Sequence, residues 1–379
     1  MSEHLPVVVL ATADFDSPLW TNKQHLAVRL QAHHAVTYIE SMGLRRPTLT
    51  MADMGRIARR LRPGLRAEPP AAGNHPRPQI VSPKVLPLHG VSLARAVNRL
   101  AVARSIRPQL PDRYILWSFS PFTYGLEDDA AGFVYHSVDL IHQQPHMPAA
   151  AILAAERVAV RRADAVVASS AGVRDHLAAM EGREVLLWEN VADTALFSRQ
   201  REQRVARAVF AGHLTPTKID VAALQSVVDS GVELVVCGPK PEDGTRISPE
   251  VRRLLDHPRV EFLGTRPPSE LAKVLGSSTV GLIPYLRNGY TAGVFPLKVY
   301  EYLAAGLAVV STPLPSLAQT SEEHVVRSEA AGFGAAVRGA MDAFDEQGAD
   351  RRRAFAAPHS WEARTEQAET LIDSLSHPR

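Results

Sequence analysis

The chain has 379 residues, and this length predicts about two domains. Apolar residues make up 45% of the sequence and charged residues 22%, which is typical of globular proteins and excludes a disordered or fibrous chain. The formal net charge is only +2, and the single cysteine, Cys237, excludes an intramolecular disulfide framework.

These features favour a cytoplasmic protein. A lone cysteine fits a reducing compartment, and the first residues lack the basic region and the long apolar run of a signal peptide. No stretch approaches the roughly 20 apolar residues that are needed to cross a bilayer. A peripheral contact with the inner face of the membrane stays open.

The small net charge hides a difference between the two halves of the chain. Residues 1–180 carry 20 basic and 14 acidic side chains, whereas residues 181–379 carry 22 and 26. A basic first half attracts a phosphorylated acceptor or an anionic membrane, but a solvated helix face, such as one at 51–61, has the same pattern. The basic residues lack interleaved aromatic residues, which excludes a nucleic-acid partner. Most of the basic excess lies in Arg45, Arg46, Arg56, Arg59, Arg60, Arg62 and Arg66.

In the first half, short apolar segments alternate with helical patterns, among them 91–106 and 149–162. Apolar strands bounded by Gly, Pro, Asp or Ser are typical of a parallel sheet covered on both faces. Residues 1–190 are therefore predicted to form a Rossmann-like, acceptor-binding lobe, with 63–83 as a loop rich in proline and glycine. The predicted strands are 7–11, 35–40, 80–86, 114–119, 132–138, 165–169 and 184–189.

The alternation restarts after a polar segment, 191–206, that is predicted to be a linker. Residues 207–355 are predicted to form a second Rossmann-like lobe, and 356–379 a helix that packs at the lobe interface. The expected fold is α/β, with two doubly wound lobes facing each other across a crevice. The strands predicted in the second lobe are 207–212, 232–237, 260–263, 280–284 and 308–311.

The most informative motif is PYLRNGYTAGVFPLKVYEYLAAGLAVVST, at 284–312. A strand is followed by a glycine-containing loop, and Pro296 is predicted to begin a helix that ends at Gly306. Loop amides and a helix N-terminus are typical of an anion site. Lys298 in the first turn adds positive charge, and Glu301, one turn later, has the oxygens to accept hydrogen bonds from a ribose diol. Alternatively, both are surface residues of an amphipathic helix.

This motif resembles the nucleotide-sugar signature of the GT-B glycosyltransferases of family 1/4-like type, and it is similar to the teichuronic-acid glycosyltransferase group. The resemblance implies that the loop and Lys298 hold a diphosphate and that Glu301 holds the ribose. Many retaining relatives have a second glutamate where this chain has Gly293, so an inverting or retaining outcome stays open. The loop residues implied are Tyr290, Thr291, Ala292, Gly293, Val294 and Phe295.

A second motif, FAGHLTPTKID at 210–220, has the strand–glycine–helix order of a phosphate-binding junction around Gly212. The resemblance implies that Lys218 contacts the diphosphate. It also implies that His213 replaces an arginine with the same role, although a histidine packed at a strand end fits equally.

A third pair of segments, CGPKPED and VEFLGTRPPSEL, resembles the part of the family that contacts the nucleobase through the backbone. The resemblance implies that Gly238, Thr265 and Arg266 lie in the donor site. Backbone contacts do not separate uracil, guanine and thymine, so the base is open, and UDP is our working nucleotide.

Two stretches of the first half, LATADFDSPLWTNKQHLAVRL and FVYHSVDLIHQQPH, carry polar residues after strands. The second ends a strand with His136 and Asp139, with His142 just beyond. Transfer to a hydroxyl needs a group that takes a proton, and Asp139 or His136 suits this role. Asp139 as a cap of the following loop is an alternative, and Asp14 is a further candidate base. For the acceptor we expect Asp16, Trp20 and Asn22.

We therefore expect a metal-independent glycosyltransferase that moves a sugar from a nucleotide diphosphate sugar to a hydroxyl of a small-molecule or glycan acceptor. A cell-surface polysaccharide intermediate and a secondary metabolite both fit. No cofactor beyond the co-substrate is expected, and no metal, because the only D-x-D, Asp14 and Asp16, lies in the other lobe. The alternatives are an epimerase of the same fold and a non-catalytic binding or partner subunit.

Overall fold

The computed structural model describes residues 4–17, 20–44, 76–144, 146–200, 202–215, 217–239 and 248–376. The chain divides into two compact units, Met1–Glu189 with Arg364–Arg379, and Asn190–Ala363. The segment 191–206 belongs to the second unit, where it contains a short helix, and the segment 356–379 is shared between the units. The arginine-rich run and the helix predicted at 51–61 lie outside the described residues.

The first unit is built on a seven-stranded parallel sheet with the order β3-β2-β1-β4-β5-β6-β7. Its strands are β1 Val7–Leu10, β2 Val36–Ile39, β3 Gln79–Val81, β4 Ile115–Ser118, β5 Gly132–Ser137, β6 Ala165–Ala168 and β7 Leu186–Leu187. Its helices are α1 Asn22–Leu30, α2 Ser92–Ser105, α3 Ala149–Arg162 and α4 Ala171–Glu181.

Apolar side chains cover both faces of this sheet, which is why its strands are apolar without alternation. The C-terminal helix, Trp361–Ser376, contributes to one face, where Ala368 and Ile372 are fully buried. A Cβ atom at Gly132 would lie 3.1 Å from the Cβ of Leu375, so this part of the helix sits directly on β5.

The second unit contains a six-stranded parallel sheet with the order β10-β9-β8-β11-β12-β13. Its strands are β8 Ala208–Ala211, β9 Leu234–Cys237, β10 Val260–Gly264, β11 Val280–Ile283, β12 Ala308–Ser311 and β13 Val325–Arg327. Its helices are α5 Thr194–Ser198, α6 Val221–Asp229, α7 Pro249–Leu255, α8 Pro268–Gly276, α9 Gly289–Ala292, α10 Lys298–Ala304, α11 Phe333–Asp342 and α12 Glu346–Ala356, and α13 is Trp361–Ser376.

The strand order of this sheet reverses between β8 and β11, which is the point where doubly wound folds bind ligands beyond the carboxyl ends of the strands. Helix α10, which follows this point, begins at Lys298 with Leu297 as its N-cap. The prediction that Pro296 begins the helix was therefore wrong. Gly306 follows the C-cap with a φ of 83°, as expected for a glycine that ends a helix.

Tyr302 fixes α10 to the sheet. Its ring is completely buried against β11, and its hydroxyl accepts a hydrogen bond from the N–H of Ala211, the last residue of β8, at 2.8 Å. A Cβ atom at Gly281 would lie 2.5 Å from two atoms of the Tyr302 ring. The missing side chain at Gly281 thus makes the close approach of α10 and the sheet possible.

Among the residues described, no helix combines the length and the apolarity required to traverse a lipid bilayer.

We expect Gly281→Ala to destabilise the second unit by about 1–3 kcal/mol, because the added methyl group overpacks a rigid buried ring. Urea unfolding followed by circular dichroism measures the effect. Gly339→Ala is the matched control, since nothing lies within 4 Å of a Cβ atom there and the residue is inside α11. That variant should gain about 0.5–1 kcal/mol. Equal stability of Gly281→Ala and the wild type would contradict the packing described.

Candidate functional site

The carboxyl ends of β8, β9 and β10 are joined through backbone hydrogen bonds. The N–H of Gly212 donates to the carbonyl of Cys237 at 2.8 Å, and the N–H of Gly238 donates to the carbonyl of Gly264 at 2.9 Å. A Cβ atom at Gly238 would lie 1.9 Å from the carbonyl oxygen of Gly212, so only glycine fits there. The predicted donor residues Gly212 and Gly238 are thus in contact at one edge of the sheet.

The loops after β8 and β11 are also joined. The N–H of Leu286 donates to the carbonyl of Lys218 at 2.8 Å, and the N–H of Asp220 donates to the carbonyl of Pro284 at 2.7 Å. The side-chain amide of Asn288 donates to the carbonyl of Thr217 at 3.0 Å. The two motifs predicted to hold the diphosphate therefore meet at the reversal of strand order.

Lys218 brings a positive charge to this point. Its ammonium nitrogen lies 4.5 Å from the centroid of the Tyr285 ring, a cation–π contact, and within the described part of the chain it has no acidic partner. His213 is half-buried directly after Gly212, and its carbonyl accepts a hydrogen bond from the N–H of Thr215.

Lys298 and Glu301 pair with each other in this structure. The ammonium nitrogen donates to the Oε2 atom of Glu301 at 2.5 Å, and the two side chains are 25% and 16% exposed. Because both remain open to solvent, a ligand can reach the pair and exchange their mutual contact for its own groups.

Positive charge converges on the end of β9. Burial raises the pKa of the Cys237 thiol to about 11, and nearby Arg266 and Lys298 act in the opposite direction. Arg266 and Thr265 are exposed after β10, and the guanidinium of Arg266 lies 3.6 Å from Glu270. The edge of the second sheet therefore presents cations to solvent.

The loop 286–295 satisfies most of its own polar groups. Asn288 and Thr291 form a reciprocal capping box, with N–H to side-chain oxygen distances of 2.9 and 3.0 Å. The hydroxyl of buried Thr291 is thus structural. The amides of Ala292, Gly293 and Val294 donate to the carbonyls of Asn288, Tyr290 and Thr291. In this conformation these three amides are engaged within the loop, so the charged side chains are the groups left to meet an anion.

In the first unit, sequence reasoning missed Lys23. This lysine lies in the first turn of α1 and is buried, with its ammonium nitrogen 5.8 Å from the centroid of the Phe119 ring. Burial lowers the pKa of Lys23, and the charge of Asp139 opposes that shift. Asp139, the predicted base, is therefore close enough to act electrostatically on a buried amine.

His136 is buried at the end of β5, and its Nδ1 atom accepts a hydrogen bond from the indole N–H of Trp117 at 3.3 Å. Because indole only donates, the proton of the neutral ring is on Nε2. Burial, with Arg364 and Lys23 nearby, holds the pKa of His136 well below its ordinary value. The ring is therefore suited to donate from Nε2 and poorly suited to act as a base.

The loop before α1 holds the remaining candidates. Asp14 is exposed, and its carbonyl accepts from the Gln24 side chain at 3.1 Å. Asp16 accepts from Arg77 at 2.9 Å in an ion pair. Trp20 packs on Phe15 and His25, and its buried indole N–H has no partner among the described residues.

Asn22 is the first residue of α1 and is buried. With Lys23, it places two polar side chains in the first turn of the helix at the carboxyl edge of the first sheet.

We expect the stability of the protein to fall as the pH is lowered below about 6.5, because His136 stays neutral when folded and takes up a proton when unfolded. Uptake of one proton on unfolding lowers the free energy of unfolding by up to about 1.4 kcal/mol for each pH unit. Urea unfolding from pH about 7.5 to about 5.5 measures it, and His136→Gln should lose this part of the slope. His4→Gln, at an exposed position, is the control. An unchanged slope in His136→Gln would show that another group is responsible.

Comparison with known proteins matches most of the second unit to a described family. Residues 206–343 match the family model described as glycosyl transferases group 1. The putative teichuronic acid biosynthesis glycosyltransferase TuaH of Bacillus subtilis is 29% identical over 185 residues, which cover 46% of this chain and 46% of TuaH. The chain thus matches about half the length of this curated relative.

Two solved structures share the fold along the whole chain. HepE of Anabaena, in complex with UDP and glucose, has a TM-score of 0.63 at 14% identity and covers 98% of this chain and 100% of its own. Sucrose-phosphate synthase of Thermosynechococcus elongatus has a TM-score of 0.67 at 15% identity and covers 98% and 99%. The predicted α/β fold with two Rossmann-like lobes is confirmed. Residues 206–343 therefore match the group 1 glycosyl transferases, about half of the chain is similar to TuaH, and the chain as a whole shares the GT-B fold of these solved structures.

Proposed function

We propose that the protein transfers a sugar from a nucleotide diphosphate sugar to a hydroxyl group of a small-molecule or glycan acceptor. The observation that carries the proposal is that the loop bearing Lys218 is hydrogen-bonded to the loop after β11, which leads to the Lys298–Glu301 pair, at the reversal of strand order and inside the segment that matches the family. Cations that stay open to solvent suit a ligand with a diphosphate.

The donor is held by charge in this proposal. Lys218 and Lys298 neutralise the diphosphate, and Glu301, released from Lys298, accepts hydrogen bonds from the ribose diol. Arg266 and Thr265 lie exposed at the end of β10, where the nucleobase is expected. HepE, which has the same fold, is known in complex with UDP and with UDP-glucose, so UDP is the first nucleotide to test.

Two lysines at the diphosphate supply the charge that a divalent cation would otherwise provide. We therefore propose that donor binding needs no metal and that no cofactor takes part beyond the co-substrate.

The acceptor reaction is assigned to the first unit. Asp139 takes the proton of the acceptor hydroxyl as its oxygen bonds to the anomeric carbon, and the nucleotide diphosphate leaves with the electron pair of the broken C–O bond. Buried His136 and Lys23 lie behind the reacting groups, where the charge of Lys23 stabilises the Asp139 carboxylate. Asp14, Asp16, Trp20 and Asn22 form the acceptor side.

For donor binding, we expect UDP to bind in the presence of EDTA, and Glu301→Ala to weaken binding by about 1–3 kcal/mol through lost charge-assisted hydrogen bonds. Lys218→Met should weaken it by a similar amount. Calorimetric titration with UDP, GDP, TDP, ADP and CDP measures both and identifies the base.

The controls for this titration lie elsewhere in the same unit. Glu233→Ala removes an exposed carboxylate that precedes β9, at the opposite edge of the sheet, and Lys273→Met removes a lysine in the last turn of α8. Both should bind as the wild type does. Wild-type affinity in Glu301→Ala and Lys218→Met would remove these residues from the site.

For catalysis, we expect Asp139→Asn to lower kcat by about 10²- to 10⁴-fold while UDP affinity is unchanged, because the proton acceptor is lost and the donor site is in the other unit. Release of UDP from UDP-sugars, followed with and without hydroxyl acceptors, measures this. Asp175→Asn, an exposed aspartate on α4 paired with Arg174, is the control.

The same assay separates the alternatives. Conversion of the donor sugar without any acceptor would indicate an epimerase, and nucleotide binding with no turnover of any kind would indicate a binding subunit. Full activity of Asp139→Asn would transfer the role of base to another residue, with Asp14 the next to test.

A further inference from the structure

Three ligand-type side chains converge in the first unit, in a cluster that the proposed reaction does not use. His142 lies in the turn that follows β5, Glu156 is on α3 and His176 is on α4. One ligand atom from each residue lies within 4.8 Å of the other two. No short sequence motif contains them, because they come from three separate elements.

The geometry of the cluster centres on one carboxylate oxygen. The Nε2 atom of His176 lies 3.5 Å from Oε2 of Glu156, and the Nδ1 atom of His142 lies 3.8 Å from the same oxygen. The two imidazole rings stack with centroids 4.7 Å apart. The two distances from a histidine nitrogen to Oε2 of Glu156 are too long for good hydrogen bonds.

The cluster is buried as well as poorly hydrogen-bonded. The side chain of Glu156 is 2% exposed and that of His142 is 9% exposed. Within the described residues, the Nδ1 atom of His142 is buried with no hydrogen-bond partner. A buried carboxylate and a buried ring nitrogen that face each other without a good bond are uncommon in folded proteins, unless a further group lies between them.

We propose that His142, Glu156 and His176 bind one divalent first-row transition ion, with zinc as the preferred ion. Two imidazoles and one carboxylate are a frequent zinc ligand set, whereas calcium and magnesium select oxygen ligands. Bonds of about 2.0–2.2 Å to one ion bring ligand atoms to about 3.3 Å from each other, which requires only a small contraction of this cluster.

The residues around the cluster fit this role. The hydroxyl of buried Tyr135 donates to Oε1 of Glu156 at 2.9 Å, which orients the carboxylate and leaves Oε2 for the ion. The side-chain amide of Gln143 lies 3.2 Å from Nε2 of His142, and a 180° rotation of that amide presents its oxygen to the ring N–H. Such outer contacts orient the ligands of metal sites and fix the histidine tautomer.

The ion would have a structural effect. It would link α3, α4 and the turn after β5, three residues beyond Asp139, and it would stabilise the folded first unit by mass action. The site is in the first unit and takes no part in neutralising the diphosphate, so it is independent of the proposed donor site.

The test uses the full chain without a histidine tag, treated with EDTA and then dialysed. Metal content after equilibration with Zn²⁺, calorimetric titration with Zn²⁺ and the thermal midpoint are measured, together with the visible absorption of the Co²⁺ form. We expect one equivalent of Zn²⁺, a rise in the midpoint, and Co²⁺ absorption typical of four or five ligands. UDP affinity should be the same with and without Zn²⁺.

His176→Gln should weaken Zn²⁺ binding by at least about tenfold, since loss of an outer contact alone costs that much. Glu156→Gln keeps an acceptor for Tyr135 and serves as the second variant, with circular dichroism to verify folding. His33→Gln is the matched control, because His33 also faces a carboxylate, Glu369, but is exposed on the same unit. It should bind Zn²⁺ as the wild type does.

Less than a tenth of an equivalent of bound Zn²⁺, or equal binding by Glu156→Gln, His176→Gln and the wild type, would overturn the proposal. The cluster would then be a buried polar network that needs no ion. Because UDP binding is measured in the same samples, failure of the metal site and failure of the donor site are distinguished.

Discussion

The edge of the second sheet at which we propose the donor site is held together by a buried contact, the hydrogen bond from the N–H of Ala211 to the hydroxyl of Tyr302. This bond joins the last residue of β8 to the middle of α10. The helix can lie this close because β11 has Gly281 at the point where any side chain would collide with the Tyr302 ring. Gly212 follows one partner, and Glu301 precedes the other. The backbone on the two sides of the strand reversal is therefore held in place by buried packing, and the charged side chains take no part in that packing contact.

The fold was largely predictable because parallel strands covered on both faces are apolar throughout, and each of the twelve strands predicted from apolar runs is present. Strand β13, Val325–Arg327, was missed because three residues ending in an arginine give too short a signal. The pairing of Lys298 with Glu301 follows from helical spacing. The hydrogen bonds that the loop amides make within the loop do not follow from spacing, because they depend on the capping box between Asn288 and Thr291.

The first unit was harder to predict because its polar contacts are long-range. Lys23 and Asp139 are far apart in sequence, and only the fold of the sheet brings the amine within electrostatic range of the carboxylate. The same holds for His142, Glu156 and His176, of which the sequence showed only that a histidine follows Asp139. Periodicity gives the elements, but it gives no information on which buried polar side chains on different elements meet.

The charged and titratable side chains of the two proposed sites differ in burial: those of the second unit are partly exposed, and those of the first unit are buried. The second unit leaves Lys298 and Glu301 partly exposed, so a phosphate can replace Glu301 as the partner of Lys298 without leaving either charge buried and unpaired. The first unit buries Lys23 and His136, and burial makes the charged form of each side chain unfavourable. Neither side chain is placed to exchange its contacts for those of a ligand. Groups held at such a cost are fixed in position. Reversible binding of an anion therefore suits the second unit, and orientation of reacting groups suits the first.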